Sequence, residues 1–442
     1  MESNPLAKIN MMIFDYFAEW KNPEKGDSAP LRPRRCGEII RYHIDGFAEG
    51  GDLSIATNAQ YWESFCNRLG CKLRRNEDHL MEDPKQREDL IDLSRKGLMP
   101  IKDTIKLPRE RYALRLERAP VVRYVVTSIL KQGLSYGRPE KSKRSLVLSL
   151  NLGASLGQPD GPTELRRYRL KQLYEIVKRL VECSNWHMLT AGNAQPDTVL
   201  VNVESQRCSL EQRRAHVCLV SGPVLEPGNK TATDMDLDTY LNMRSTHMRL
   251  MALHRSGLRP AGSCSLDTLM RRLGEAAVIV DLFSVRHASA ACVVRNGMGS
   301  SKGASYILYN SARVETLLRS FDSQVAAGVY DPLPPLEEID LSILEDEMDW
   351  QLIFSCLLTF PEVLETTIDQ LEQGHVGIHL LIRYLENLAT VFSRYYRQKK
   401  VLVQKRDQLV PILYARITLV MAVRQVMNQA LSLLGILPVD YV

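Results

Sequence analysis

The chain has 442 residues, 45% hydrophobic and 25% charged, with 57 Lys+Arg against 52 Asp+Glu and a formal net charge of +5. That length accommodates two or three domains with sizeable cores, and the composition is globular rather than disordered or fibrous. No run of about 18 apolar residues reads as a membrane span; the apolar patch at 11–14 is followed by Asp15 and Glu19, so no secretory signal is expected. Nine scattered cysteines point to a reducing compartment, read here as the cytoplasm.

In chain order, residues 1–140 form a mixed N-terminal region. Tyr112-Ala113-Leu114-Arg115-Leu116 alternates like a strand, and 121–130 follows as an apolar helix or strand. A polar, basic connector spans 133–143. Residues 145–152 alternate and are rich in Leu and Val, which predicts a strand. Leu165, Tyr168, Leu173, Ile176, Val177 and Leu180 give 163–183 helical spacing. Strand-like segments recur at 186–190, 198–203 and 215–220. Strand, helix, strand in this order predicts an α/β layer with a parallel sheet over 141–300. From about 231 the chain turns mainly helical, with Ser265 as an N-cap candidate. Prolines at 332, 334 and 335 and an acidic run through Asp349 read as a solvated linker, 331–349, inside a C-terminal all-α domain at 301–442. There Ile378, Leu381, Ile382, Leu385, Leu388, Ala389, Phe392 and Tyr396 mark one helical face, and a second long helix spans 412–434 with Gly435 at its end.

Charge is uneven. Residues 109–144 hold ten basic and three acidic groups, and 164–179 hold six and two. In the C-terminal domain Arg394, Arg397, Lys399, Lys400, Lys405 and Arg406 cluster with Tyr395 and Tyr396, while Arg416, Arg424, Gln425 and Asn428 punctuate the last helix. Guanidinium groups neutralise phosphates and aromatic rings stack on unpaired bases, so this pattern favours RNA over an acidic protein or a membrane. Solvated helix faces would produce the same clusters without any ligand.

The motifs resemble a family. Leu358-Thr359-Phe360-Pro361-Glu362-Val363, Tyr384-Leu385-Glu386-Asn387-Leu388-Ala389, Phe392-Ser393-Arg394-Tyr395-Tyr396, Ala415-Arg416-Ile417-Thr418-Leu419 and Leu433-Leu434-Gly435-Ile436 are similar, in order, to the DALR anticodon-binding domain of arginyl-tRNA synthetases. Tyr306-Ile307-Leu308-Tyr309-Asn310-Ser311-Ala312-Arg313-Val314 resembles the segment before it, with Ser311 where the synthetases carry His. The whole chain resembles a member of this family without activity. The resemblance implies a degenerate Rossmann-like synthetase core followed by an all-α anticodon-binding bundle.

The synthetases carry an HxGH signature where the first strand of that core meets its helix, so that imidazoles and close backbone hold ATP phosphates. Glu164, Arg166 and Arg167 align with it here, and no HxGH occurs anywhere in the chain. Glu164 would repel triphosphate and Arg166 would fill the space of the glycine. No KMSK loop follows; Lys141-Ser142-Lys143-Arg144 lies on the wrong side of the layer. Other constellations are weak. The turns at 153–157 and 297–301 read as loops, His375 and His379 lack a third ligand, and His216, Cys218 and nearby Cys208 read as ordinary strand and thiol residues. Neither a metal nor a cofactor is expected.

The expectation is a non-catalytic tRNA-binding adaptor. Tyr306, Tyr309 and Arg313 would line the side facing the degenerate core. Arg394, Tyr395, Tyr396, Arg397, Lys399 and Lys400, with Arg416, Arg424 and Asn428, would meet loop bases and phosphates, although the tyrosines would serve equally as core. By resemblance the ligand is an arginine tRNA and the partner a 3-methylcytidine tRNA methyltransferase. An active arginyl-tRNA synthetase, and an interaction module without RNA binding, are the alternatives.

Overall fold

The computed structural model describes residues 4–20, 39–74, 79–139, 142, 144–152, 164–193, 196–205, 216–228, 231–256, 263–295, 303–403 and 406–438. Lys141, Lys143, the turns at 153–157 and 297–301, Cys208, Lys405 and residues 439–442 lie outside them.

The N-terminal region is a sheet backed by helices. Helix α1 (Pro5–Phe17) starts where Asn4 accepts from the Ala7 amide and Pro5 presets the first turn. Strand β1 (Ala18–Trp20) follows, then β2 (Ile40–Tyr42), the single turn α2 (Phe47–Gly50), β3 (Leu53–Ala56) and α3 (Ala59–Leu69). After β4 (Cys71–Leu73) and α4 (Pro84–Ser94), β5 (Ile101–Leu107) and β6 (Arg111–Leu116) form a hairpin. β2, β3, β6 and β5 make one antiparallel sheet in that order, and β1 pairs with β4. Trp62 is fully buried between Phe14 and Phe17. Helix α5 (Arg118–Gln132) leaves this sheet and packs on the C-terminal bundle.

The middle layer is a four-stranded, all-parallel sheet of β7 (Ser145–Leu150), β8 (His187–Leu189), β9 (Val199–Glu204) and β10 (Val217–Val220), ordered β10-β9-β7-β8. Helix α6 (Leu165–Glu182) crosses from β7 to β8. It buries Leu165, Leu170, Leu173, Ile176, Val177, Leu180 and Val181, the face its spacing predicts. The short parallel pair β11 (Val224–Leu225) and β12 (Ala291–Cys292) flanks the helices α7 (Leu237–Ser256) and α8 (Ser263–Phe283). Tyr240 and Arg244 of α7 both bond Asp281 of α8.

The C-terminal domain is helical: α9 (Ala304–Ala326), α10 (Glu347–Leu352), α11 (Phe360–Ile368), α12 (Ile378–Gln398) and α13 (Val410–Leu434). A π-helical turn, Ile353–Leu357, joins α10 to the Phe360-Pro361 motif. Its Cys356 carbonyl accepts from the Tyr384 hydroxyl. Helix α13 is long and apolar enough to cross a membrane by length and composition alone; here its apolar surface packs against α5, α9 and α12. The acidic stretch is not a free linker. Ile339, Leu341 and Leu344 are buried, while Glu337 pairs with Lys131, Glu347 with Arg118 and Asp346 with Lys399.

Named polar contacts fasten the three parts. Asp52 of the N-terminal sheet accepts from Trp350 Nε1 at 2.7 Å, and the Gln351 and Ser355 side chains donate to the Ile44 carbonyl. Arg179 of α6 donates to the Leu433 carbonyl at the end of α13, where Gly435 holds a φ of +75° and a Cβ would meet the guanidinium at 2.6 Å. His287 is buried with Nδ1 2.7 Å from the Val220 carbonyl and Nε2 accepting from the Val376 amide. These two bonds require the neutral ring protonated on Nδ1. Burial lowers the His287 pKa from 6.5 to about 4. The folded value lies below the unfolded one, so the stability it carries is present above about 6.5 and is lost as pH falls through about 4. Over that window the loss should reach ~3 kcal/mol. Urea midpoints between pH 7 and 4 are expected to fall more steeply for the native chain than for His287→Gln, and parallel curves would refute this.

Candidate nucleic-acid interface

Helix α12 sorts its residues by angle. Steps of about 100° per residue put Leu381, Leu385, Leu388 and Phe392 into the core, and all are buried. The same steps leave Arg383, Asn387, Thr390, Arg394 and Arg397 on one stripe; Arg383, Asn387, Arg394 and Arg397 are exposed and Thr390 is half-buried. The exposed side of α12 is therefore a polar row carrying three guanidinium groups. Arg383 and Asn387 are absent from the residues expected from sequence. Their i, i+4, i+11 and i+14 spacing with Arg394 and Arg397 was the available signal.

Near the C-terminal end of α12, on the side turned away from this row, a stack joins α12 to α9. The Arg313 guanidinium lies between two rings, 4.5 Å from the Tyr309 centroid and 4.6 Å from that of Tyr396. Its Nη2 also donates to the Tyr309 hydroxyl at 2.6 Å. Tyr396 remains 38% exposed, so part of its π surface is open to an incoming base. Tyr309 and Arg313 thus face α12, not the parallel-sheet core as expected. Tyr306 is half-buried, with its carbonyl engaged by Asn310.

The other candidates divide by surroundings. Tyr395 is fully buried; its hydroxyl faces Asp349, and burial followed by that carboxylate raises its pKa well above the usual tyrosine value. It is core because it packs toward Asp349 of α10, and the expectation that it meets bases is corrected. Lys399 is held 2.6 Å from Asp346, which lowers the pKa of that carboxyl group. Arg416 donates to the Lys400 carbonyl and ties the α12–α13 connection. Arg424 and Asn428 both reach Glu315 of α9 and stitch two helices, with the Arg424 side chain still 40% exposed. Lys400 is exposed.

The positions aligned with the ATP signature sit at the start of α6, beside the carboxyl ends of the parallel strands, where α/β sheets usually take ligands. Glu164 is exposed and bridges to Asp236. Arg166 donates to the Ser205 carbonyl just beyond β9, and Arg167 is half-buried. Arg169, also on α6, is fully buried and donates to the carbonyls of Gly222, Pro223, Ser289 and Arg286. Burial lowers its pKa to about 10, so it stays charged at neutral pH. A Cβ on Gly222 would meet the Ser289 carbonyl oxygen at 2.3 Å. The crevice beyond β10 is therefore filled by a side chain and close-packed backbone.

Residues 307–442 match the family model of the DALR anticodon binding domain. This part of the chain is a DALR anticodon-binding domain. The chain is 29% identical over 232 residues to the DALR anticodon-binding domain-containing protein 3 of Danio rerio, covering 50% of this chain and 41% of that protein. For the protein of the same name in Mus musculus it is 27% over 236 residues, covering 51% and 43%. The match thus spans less than half the length of these relatives. The arginine–tRNA ligase of Acidithiobacillus ferrooxidans is 36% identical over 131 residues, 30% of this chain and 20% of the ligase. Among solved structures, arginyl-tRNA synthetase from Plasmodium falciparum superposes with a TM-score of 0.61 at 10% identity, covering 100% of both chains. The Thermus thermophilus synthetase gives 0.58 at 11%, covering 91% of this chain and 96% of that one. At such identities the likeness concerns the fold, which is arginyl-tRNA synthetase-like.

The Tyr309–Arg313–Tyr396 stack has a measurable signature. Arg313→Met and Tyr396→Leu should each lower stability by about 1 kcal/mol, with a coupling energy of about 0.5–2 kcal/mol in a double-mutant cycle. Additive single-mutant effects would show that the rings and guanidinium do not interact.

Proposed function

We propose that this chain is a non-catalytic tRNA-binding protein that holds the anticodon arm on the exposed side of α12 and the adjoining α9. The observation that carries the reading is the exposed row of Arg383, Arg394 and Arg397 on an anticodon-binding domain, with the Tyr309–Arg313–Tyr396 stack on another side of the same helix. Phosphate contacts from the arginines would supply affinity and position, while the open surface of Tyr396 would take an unstacked loop base. The reading as non-catalytic rests on Glu164 and Arg166 at the signature positions and on Arg169 filling the crevice beyond β10. Glu164 repels a triphosphate, and the two guanidinium groups are committed to backbone carbonyls.

The likeness to an arginine–tRNA ligase in the anticodon-binding part favours arginine tRNAs as ligands. Absence of synthetase chemistry in the core favours a chain that presents its tRNA to another enzyme, and a 3-methylcytidine tRNA methyltransferase acting in the cytoplasm on the anticodon loop fits that division of labour.

Binding should be salt-dependent. Arg394→Glu with Arg397→Glu is expected to weaken tRNA binding and lower the slope of log K against log salt by about one for each phosphate that is no longer neutralised. A folded double variant with unchanged affinity and slope would place the RNA surface elsewhere. Competition among tRNAs at fixed salt should favour arginine isoacceptors, and equal affinities would reduce the reading to general tRNA binding. Arginine-dependent pyrophosphate exchange should stay at background; exchange above it would restore the synthetase alternative.

A further inference from the structure

Glu204, His216 and Cys218 come together at the carboxyl end of β9 and across β10, away from the α12 surface. His216 and Cys218 are two residues apart in an extended segment and share one face of the sheet. In register, β10 pairs Cys218 with Asn202 and Val220 with Glu204. The Glu204 side chain reaches back along that face to both of its neighbours. His216 Nε2 lies 3.6 Å from Glu204 Oε1, and Cys218 Sγ lies 3.5 Å from Glu204 Oε2. One ligand atom from each of the three falls within 4.8 Å of the others. Donors at about 2.0–2.3 Å from a tetrahedral ion are separated by about 3.3–3.8 Å; His216 and Cys218 each come that close to a different Glu204 oxygen, and the three residues draw in from within 4.8 Å to share one ion. The His216 and Glu204 side chains are 15% exposed, which shields the centre while leaving it reachable. Cys218 is disulfide-bonded in this state.

We propose that Glu204, His216 and Cys218 form a three-ligand zinc site, open at its fourth position, that is available when the Cys218 disulfide is reduced. A dithiol reductant delivers two electrons and two protons to the S–S bond and becomes a disulfide itself, leaving two thiols on the protein. Zinc then displaces the Cys218 proton to solvent and binds its thiolate, the neutral His216 Nε2 and one Glu204 oxygen. Water completes the tetrahedron. The backbone gives the site a reason to be here. Gly374, with a φ of +77°, lies so close to β10 that a Cβ would stand 2.7 Å from the Cys218 carbonyl oxygen. A metal at this point ties the carboxyl end of β9 to the start of β10, the edge strand that Gly374 approaches.

The test uses the full chain, reduced anaerobically with a dithiol, and Co²⁺ as the probe. The reduced chain should bind one Co²⁺ with a thiolate-to-metal charge-transfer band and tetrahedral d–d absorption, and the oxidised chain should bind none. Zn²⁺ should displace the cobalt and raise the melting temperature of the reduced chain. Glu204→Gln and His216→Ala should each weaken Co²⁺ binding at least about tenfold, and Cys218→Ser should reduce the charge-transfer band. A reduced native chain that binds no cobalt, or binds it without a charge-transfer band, overturns the proposal. So do folded variants whose affinity and spectrum match the native chain. If a variant fails to fold, the spectrum of the native reduced chain decides by itself. These readouts are independent of tRNA binding.

Discussion

A buried guanidinium without a carboxylate must be surrounded by carbonyl oxygens, and Arg169 imposes that requirement on the centre of this molecule. It gathers Gly222 and Pro223 beyond β10 with Arg286 and Ser289 of the segment after α8. Removing the side chain would leave the buried Gly222 carbonyl without this donor, at a cost of about 1–3 kcal/mol, while the Pro223 and Arg286 carbonyls keep the amides of Ala291 and Ser289. The segment fixed in this way contains His287, which bonds β10 on one side and the amide before α12 on the other. One arginine of α6 therefore sets where the helix that carries the exposed arginine row begins. The same side chain fills the space beyond the edge strand β10.

The three parts are joined by buried or half-buried polar contacts as well as by apolar packing. Asp52 is an example. Burial raises its pKa, yet it accepts from both the Leu116 amide and Trp350 Nε1. Contacts of this kind are directional and hold one relative placement of sheet and bundle. Helix α5 extends the same logic, because Tyr136 just beyond it donates to the Leu357 carbonyl while its own carbonyl accepts from Gln429. The bundle is thus clasped by the N-terminal region on one side and by α6 and the 286–291 segment on the other. So braced a scaffold fixes the backbone on which the exposed arginines of α12 are mounted.

Local periodicity made much of this legible in the sequence. The strand at 145–152, the helix at 163–183 and the strands near 186, 198 and 215 correspond to β7, α6, β8, β9 and β10. The stretch at 121–130, open between helix and strand, is the helix α5, because its apolar residues meet the bundle along one helical face. The long helices at 378 and 412 and the glycine ending the last one were written in 3.6-residue spacing and a single C′ residue. The family motifs were legible for a related reason, since Phe360, Tyr384, Leu388 and Phe392 are core residues whose identity packing dictates.

Sequence alone thus determined the order and type of the main elements from residue 112 on and the DALR motifs of the last third. What it could not decide were outcomes of long-range geometry. Tyr395 and Tyr396 are neighbours in the chain, but the bundle buries one against Asp349 and leaves the other on Arg313. Arg424 and Asn428 have the composition of an RNA-facing surface, yet Glu315, on a helix far earlier in the chain, claims both. The acidic run from 337 to 349 reads as a solvated spacer until Lys131, Arg118 and Lys399 are brought beside it. Glu204 enters the same cluster as His216 and Cys218 only because β9 and β10 pair in one register. A charged residue's role depends on the countercharge it meets, and that partner is chosen by the tertiary fold rather than by the residues beside it in the chain.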